Sequence, residues 1–201
     1  MENIAAVILA AGEASRMGHP KQLLKIGDQT LVQRSIQTVQ AVPCDQVVVV
    51  VGAHADQVQE SLRDSAITCV HNEAWEEGMG SSIRTGVSAV GRLYPNVELI
   101  IMLLCDQPLV TPQLLRQFIT VHTVTRHALV VSEYESVQGV PALFHRSLFP
   151  WLLSLSGSAG ARTFIRQYTE GVAVVPFPEG KYDVDTPQEY EYIKRMICSA
   201  P

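Results

Sequence analysis

The sequence predicts one α/β domain, an open α/β/α sandwich built on a mostly parallel sheet. Three observations support this prediction. The chain has 201 residues, 47% of them hydrophobic, which is enough for one sizeable core but short for two. Apolar runs rich in β-branched residues are continuous, as in strands buried on both faces. Amphipathic segments lie between these runs and predict helices that cover the sheet.

Each element follows from its local pattern. The predicted strands are Ile4–Ala10, Gln46–Val51, Ala66–Val70, Glu98–Leu104, Ala128–Ser132 and Gly171–Val175. The predicted helices are Thr30–Gln40, Asp56–Asp64, Ser81–Leu93, Pro112–Val124 and Ala159–Tyr168. A further helix is predicted to begin near Pro187. The alternation of strand and helix breaks down over Glu133–Phe149, where the sequence indicates extra, antiparallel strands.

Composition argues against several classes of function. The formal charge is −5, and the 15 Lys and Arg residues are scattered, so neither a nucleic acid nor a membrane is expected as a partner. The four cysteines form no C-x-x-C pair and are expected to be reduced, buried and structural. The N-terminal apolar run is short and has no basic flank, so a cytoplasmic location is expected.

Ligands of open α/β sheets bind beyond the carboxyl ends of the strands. The segment after the first predicted strand runs from Leu9 to Lys21, contains small residues and two glycines, and carries cations at Arg16 and Lys21. Small residues let backbone N–H groups approach an anion, and the two cations would neutralise phosphates. The segment has neither Rossmann nor Walker spacing. A plain connecting turn is the alternative interpretation.

Two acidic positions predict a metal site. Asp106 follows the fourth predicted strand, and Asp185 precedes Thr186 and Pro187. Mg²⁺ prefers one or two carboxylates together with water and substrate phosphates. The alternative is that Asp185 or Thr186 only caps the last helix, although capping and ligation can coexist.

A third candidate segment follows the third predicted strand. It contains Gly78, Ser81 and Ser82, and the predicted helix begins at about Ser81. Amides and hydroxyls at such a helix start can bind a phosphate or a base edge, although an ordinary Ser N-cap explains the same residues equally well.

These segments, in this order, resemble the MobA-like NTP transferase family, and especially its molybdenum cofactor cytidylyltransferase branch. The resemblance covers nearly the whole chain, including Pro141–Phe144. One departure is that Gly157-Ser158-Ala159-Gly160 stands where relatives commonly have Gly-Asp-x-Gly. The acceptor is therefore less well defined by the sequence than the reaction.

The resemblance implies a Mg²⁺-dependent enzyme that transfers CMP from CTP, or a nucleotide from another NTP, to molybdopterin. Residues about 1–110 would bind the nucleotide and residues about 111–201 the acceptor. The catalytic set would be Arg16, Lys21 and Asp106, and the metal ligands Asp106 and Asp185. The nucleotide-binding set would be Leu9, Ala10, Ala11, Gly12, Arg16, Lys21, Gly78, Ser81 and Ser82. Transient contact with a molybdoenzyme or its chaperone is a further expectation.

Three other interpretations stay open. The acceptor can be a sugar phosphate or polyol phosphate, or the chain can be a non-catalytic carrier of a nucleotide or pterin. An NAD-dependent oxidoreductase ranks last, because Val51-Gly52-Ala53-His54 has no acidic residue where a dinucleotide fold needs one. The roles of His71, Trp75 and Asp183 are left open.

Overall fold

The main sheet has seven strands, most of them parallel, and helices cover both of its faces, which confirms the predicted open α/β sandwich. The computed structural model describes residues 2–13, 17–63, 65–157 and 160–199. The strands are β1 Asn3–Ala10, β2 Lys25–Ile26, β3 Gln29–Thr30, β4 Gln46–Val51, β5 Thr68–His71, β6 Val97–Leu104, β7 Leu129–Tyr134, β8 Val137–His145 and β9 Val172–Pro176. The α-helices are α1 Leu31–Gln40, α2 Ala55–Ser61, α3 Met79–Leu93, α4 Pro112–Thr125, α5 Phe149–Leu153, α6 Ala161–Gln167 and α7 Pro187–Cys198.

The main sheet has the order β5-β4-β1-β6-β8-β7-β9. Strand β8 is antiparallel to β6 and β7, and the other neighbouring pairs are parallel. The predicted antiparallel element within residues 133–149 is therefore confirmed. Because β4, β1 and β6 are parallel neighbours, their carboxyl ends meet at one edge of the sheet. The segments that follow these strands are thereby brought together.

Strand β1 shows why the predicted strands read as continuous apolar runs. Ile4, Ala6 and Ile8 pack in one core layer, whereas Ala5 and Val7 pack in the layer on the opposite face. Both faces are covered by helices, so successive side chains are all buried. Helix α3 approaches closely at Gly86, where an added Cβ would lie 2.5 Å from Cγ1 of Val7.

Helix starts follow ordinary capping chemistry at α1 and α7. Thr30 caps α1 and forms a reciprocal capping box with Gln33, whose side chain accepts from the Thr30 amide at 3.0 Å. Thr186 caps α7 by accepting from the Glu189 amide at 3.3 Å, and Pro187 stands in the first turn. The cap of the last helix is therefore Thr186, and the Asp185 carboxylate accepts from Lys21 instead of capping the helix.

The expectation that all four cysteines are buried was wrong. Cys105 is buried, Cys44 and Cys69 are half-buried, and Cys198 is exposed because it ends α7 on the outer surface. All four carry free thiols. In the part of the chain that the structure describes, no helix is long and apolar enough to cross a membrane.

Candidate functional site

A cavity of about 260 Å³ lies at the carboxyl ends of β1 and β6. Three segments that are distant in the sequence form its walls: the loop after β1, the turn before α3 and the end of β6. Its lining includes these predicted site residues: Leu9, Ala10, Ala11, Gly12, Lys21, Gly78, Ser82 and Asp106. The topology therefore brings most of the predicted nucleotide site into one place. Arg16 lies outside the described residues.

Lys21 joins the two predicted metal ligands. Its Nζ lies 2.5 Å from Oδ2 of Asp106 and 2.8 Å from Oδ1 of Asp185. The side chains of Lys21 and Asp106 are each 15% exposed, whereas that of Asp185 is 47% exposed. Lys21 was predicted to contact phosphates, and here its ammonium bridges two carboxylates. The bridge puts one positive charge between two negative ones at the rim of the cavity.

The electrostatics of this group keep Lys21 charged and Cys105 neutral. Burial lowers the pKa of Lys21, but the charge of Asp106 and hydrogen bonds to Asp106 and Asp185 outweigh it, so the net pKa is raised. Burial, followed by the charge of Asp106, raises the pKa of the Cys105 thiol to about 12. The cysteine beside Asp106 is therefore protonated at neutral pH and is not a nucleophile.

The Asp106 carboxylate fits a divalent cation. Its Oδ1 is buried and has no hydrogen-bond partner among the described residues, while Oδ2 faces the Lys21 ammonium. The Val184 amide donates to the Asp106 carbonyl at 2.9 Å, which fixes the Asp185 segment beside β6. Within the described ranges, no group of three or more His, Cys, Asp or Glu could hold a metal alone. A Mg²⁺ ion held here would take its other ligands from water and substrate phosphates.

Asp183, the third carboxyl of this region, bonds to Gln107. Its Oδ1 accepts from Nε2 of Gln107 at 3.1 Å. Burial, and then the charge of Asp106, raises the pKa of Asp183 to about 6. The Asp183 carboxyl is therefore protonated at a higher pH than an ordinary aspartate.

The turn before α3 is organised by Asn72, which is not among the predicted site residues. Asn72 is buried, and its Nδ2 donates to Oγ of Ser81 at 2.8 Å and of Ser82 at 3.0 Å. The Ser81 hydroxyl also donates to the Gly78 carbonyl at 2.8 Å. The signal available in the sequence was a polar residue directly after a strand. This network fixes Ser82 where it lines the cavity, and it turns the Ser81 side chain inward.

Helix α3 begins two residues before the predicted start at Ser81. It starts at Met79, and its N-cap is Gly78 with a φ of 108°, which favours glycine. The interpretation of Ser81 as an ordinary N-cap is therefore wrong. Gly78 has no side chain to cap the helix, and of Ser81 and Ser82 it is Ser82 that lines the cavity.

Trp75 forms the wall between the cavity and the end of β4. An added Cβ on Gly52 would lie 2.7 Å from Cβ of Trp75 and 2.6 Å from the Ala11 carbonyl oxygen. The Trp75 side chain packs against the buried layer that includes Val48 and Val50. Gly52 therefore permits the loop after β1 and the Trp75 segment to meet.

The family assignment follows from a comparison with known proteins. A family model described as the MobA-like NTP transferase domain matches residues 6–172. The chain belongs to the MobA-like NTP transferase family. The match extends from within β1 to the first residue of β9, and it includes every described residue that lines the cavity. The expected family is thus confirmed.

The chain is similar to curated proteins whose names differ from one another. The chain is 32% identical over 173 residues to nicotine blue oxidoreductase of Paenarthrobacter nicotinovorans, covering 82% of each chain. It is 28% identical over 209 residues to the purine catabolism protein PucB of Bacillus subtilis, covering 96% of this chain and 97% of that one.

Solved structures agree with the fold over nearly the full length. A homologue of Mycobacterium tuberculosis Rv0371c from Mycobacterium sp. strain JC1 superposes with a TM-score of 0.84 at 29% identity, covering 98% of this chain and 97% of that one. Rv0371c from Mycobacterium tuberculosis H37Rv in complex with manganese superposes with a TM-score of 0.78 at 28% identity. The alignment covers 96% of this chain and 98% of that one. A close structural relative thus contains a divalent metal.

Proposed function

We propose that this enzyme transfers CMP from CTP to the terminal phosphate of molybdopterin and releases pyrophosphate, with Mg²⁺ as its metal. The observation that carries the proposal is the cavity lined by the loop after β1, Ser82, Lys21 and Asp106, with Asp185 joined to it through the Lys21 ammonium. A Gly- and Ala-rich loop beside a cation and an unpaired carboxylate oxygen suits a metal-bound triphosphate. The N-terminal half would bind this nucleotide and the C-terminal half the acceptor.

The residues of the cavity would act by alignment and by charge neutralisation. Asp106 and Asp185 would hold Mg²⁺, which supplies positive charge to the triphosphate oxygens. Lys21, together with the Arg16 assigned by the family resemblance, would neutralise the charge that builds on the leaving pyrophosphate. The acceptor phosphate is already anionic at neutral pH, so no protein base is required. The protonated thiol of Cys105 agrees with a direct, in-line transfer.

The preference for CTP rests on the loop sequence. The cytidylyl branch resembles this chain in Ala10-Ala11-Gly12 and in Gly18-His19-Pro20-Lys21, whereas guanylyl relatives tend to have an extra glycine before Asp-Lys. The acceptor rests on the same branch resemblance. GTP as donor, or a sugar or polyol phosphate as acceptor, is the nearest alternative.

A second candidate follows from the relative named nicotine blue oxidoreductase, which is 32% identical. Its name attributes a redox reaction to a relative of similar length. The same cavity would then accept a reduced dinucleotide in place of CTP. Oxidation of NADH or NADPH by an electron-accepting dye would support this candidate, and it is measured beside the transfer reaction.

The test is a matrix of donors and acceptors. Pyrophosphate release is measured with CTP, GTP, ATP or UTP, with molybdopterin, a sugar phosphate or a polyol phosphate, and with Mg²⁺ or Mn²⁺. Release that needs CTP and molybdopterin together supports the proposal. Turnover with another pair reassigns the substrate within the same reaction class. Nucleotide binding without turnover by any pair favours a carrier.

A further inference from the structure

Gln22 connects both ends of the loop that follows β1. The residue is 1% exposed and lies in the 3₁₀ helix Lys21–Leu23, directly after Lys21. Its Nε2 donates to the Ala10 carbonyl at 2.9 Å and to the Gly12 carbonyl at 2.6 Å. Both partners are carbonyl oxygens, so the orientation of the side-chain amide is fixed.

The carbonyls of residues 9–13 all have hydrogen-bond partners within the protein. The Leu9 carbonyl accepts from the Cys105 amide at 3.3 Å, and the Ala11 carbonyl accepts from the Ala53 amide at 3.2 Å. The Glu13 carbonyl lies 2.9 Å from Nε2 of His54. With the two bonds from Gln22, five consecutive carbonyls are bonded: Leu9, Ala10, Ala11, Gly12 and Glu13. Carbonyl oxygens repel anions, and those of this loop are thus occupied by hydrogen bonds within the protein.

Two backbone amides of the same loop, those of Gly12 and Glu13, can donate to a ligand. Across the described ranges, neither the Gly12 nor the Glu13 amide donates a backbone hydrogen bond. Both residues line the cavity. Backbone N–H groups that face a concave space without carbonyls attract phosphate oxygens.

We propose that Gln22 is a positioning residue for polyphosphate binding. Its two N–H bonds hold the Ala10 and Gly12 carbonyls inward, so that the loop amides face the phosphates of the nucleotide. This inference rests on the proposed function in one respect, because it requires the triphosphate of the nucleotide to bind in the cavity. Gln22 itself offers no further N–H to the ligand, because both donors are used within the loop.

The side-chain oxygen of Gln22 helps to distinguish a positioning role of this residue from a purely stabilising role. Oε1 is buried and has no hydrogen-bond partner among the described residues. An unpaired buried acceptor costs free energy that offsets the two bonds from Nε2. Replacing the whole amide with an apolar group of the same length removes this cost, which offsets part of the stability lost when the Ala10 and Gly12 carbonyls lose their donor.

The experiment measures binding of inorganic tripolyphosphate in the presence of Mn²⁺ by calorimetry. Gln22→Met removes both donors at constant length, and Gln22→Glu also adds a negative charge. Gln33→Met is the matched control, because Gln33 also donates to a backbone carbonyl, that of Ser61 at 3.0 Å, away from the cavity. Kd is expected to rise at least roughly tenfold for both Gln22 variants and to stay unchanged for Gln33→Met.

Kinetics with the nucleotide that is turned over supply a second readout. KM is expected to rise in Gln22→Met while kcat stays within about twofold, because the loop binds the ground state and the transition state alike. Unchanged tripolyphosphate affinity in Gln22→Met, or a wild type that binds none, overturns the proposal. Failure of both variants to fold also overturns it, since Gln22 would then be structural. Tripolyphosphate has neither base nor acceptor, so absence of CTP turnover leaves this test intact.

Discussion

The ammonium of Lys21 lies 2.5 Å from Oδ2 of Asp106, and 85 positions separate the two residues in the chain. The pair joins the segment after β1 to the end of β6, which are neighbours because these strands are parallel and adjacent. Asp185 completes the bridge from the far end of the sequence. The candidate metal ligands are therefore held together by a cation that belongs to the protein.

Replacing Lys21 by Met should lower stability in a way that a metal restores. The change leaves two carboxylates facing each other without the charge that offsets their repulsion. We expect a melting temperature several degrees below the wild type in EDTA and partial recovery with Mn²⁺. Thermal unfolding with and without metal measures both. Lys25→Met, at an exposed position, is the control, and equal melting of both variants would contradict the role of the bridge.

Replacing Asn72 by Ala should weaken both the fold and nucleotide binding. Two buried hydrogen bonds to the Ser81 and Ser82 hydroxyls are lost, which costs about 1–3 kcal/mol of unfolding free energy. The turn that positions Ser82 is also loosened, so the KM for the nucleotide should rise. Urea unfolding and steady-state kinetics test this. Asn3→Ala, which removes an exposed bond to Asn96, should change neither quantity appreciably.

Replacing Gly52 by Ala should displace the loop after β1. The new Cβ would lie 2.6 Å from the Ala11 carbonyl oxygen and 2.7 Å from Cβ of Trp75. Neither atom belongs to a flexible side-chain end, so a loss of about 1–3 kcal/mol is expected, together with weaker nucleotide binding. Gly91→Ala is the control, because its Cβ meets nothing within 4 Å and should raise helix stability. If Gly52→Ala and Gly91→Ala changed the melting temperature and nucleotide binding equally, close packing at Gly52 would be contradicted.

Alkylation should distinguish the cysteines by burial and by pH. Cys198 is exposed and should react first with iodoacetamide at pH 8. Burial raises the pKa of Cys44 to about 11 and that of Cys105 to about 12, so their thiolate fractions should rise about tenfold per pH unit below those values. Mass spectrometry of labelled peptides follows each site. Labelling of Cys105 as fast as Cys198 at pH 8 would show that the end of β6 is open.

The sequence predicted the main sheet well, because strands buried on both faces leave a continuous apolar signal. Its strand over Gln46–Val51 has the predicted bounds. The hairpin of β2 and β3 was missed because two-residue strands have no periodicity to detect. The short helix Phe149–Leu153 was also missed, since five residues carry too little helical pattern. Both lie where tertiary contacts decide the local structure.

The candidate site was predictable to the extent that it depends on strand ends. Asp106 and the loop after β1 follow adjacent strands, so their proximity could be expected. Gln22 and Asn72 were not selected, because their partners are carbonyls and hydroxyls that only the folded chain brings within reach. The Lys21 bridge to Asp185 spans 164 positions and leaves no local signal.

Asp106 is the residue on which the proposed nucleotidyl transfer depends most directly, because its carboxylate would hold the metal. The most direct measurement is pyrophosphate release from CTP with molybdopterin and Mg²⁺ by wild type, Asp106→Asn and the control Asp56→Asn, which lies in the first turn of α2. We expect a loss of kcat of about a hundredfold or more in Asp106→Asn and wild-type activity in Asp56→Asn. Full activity in Asp106→Asn, with its fold intact, would contradict it.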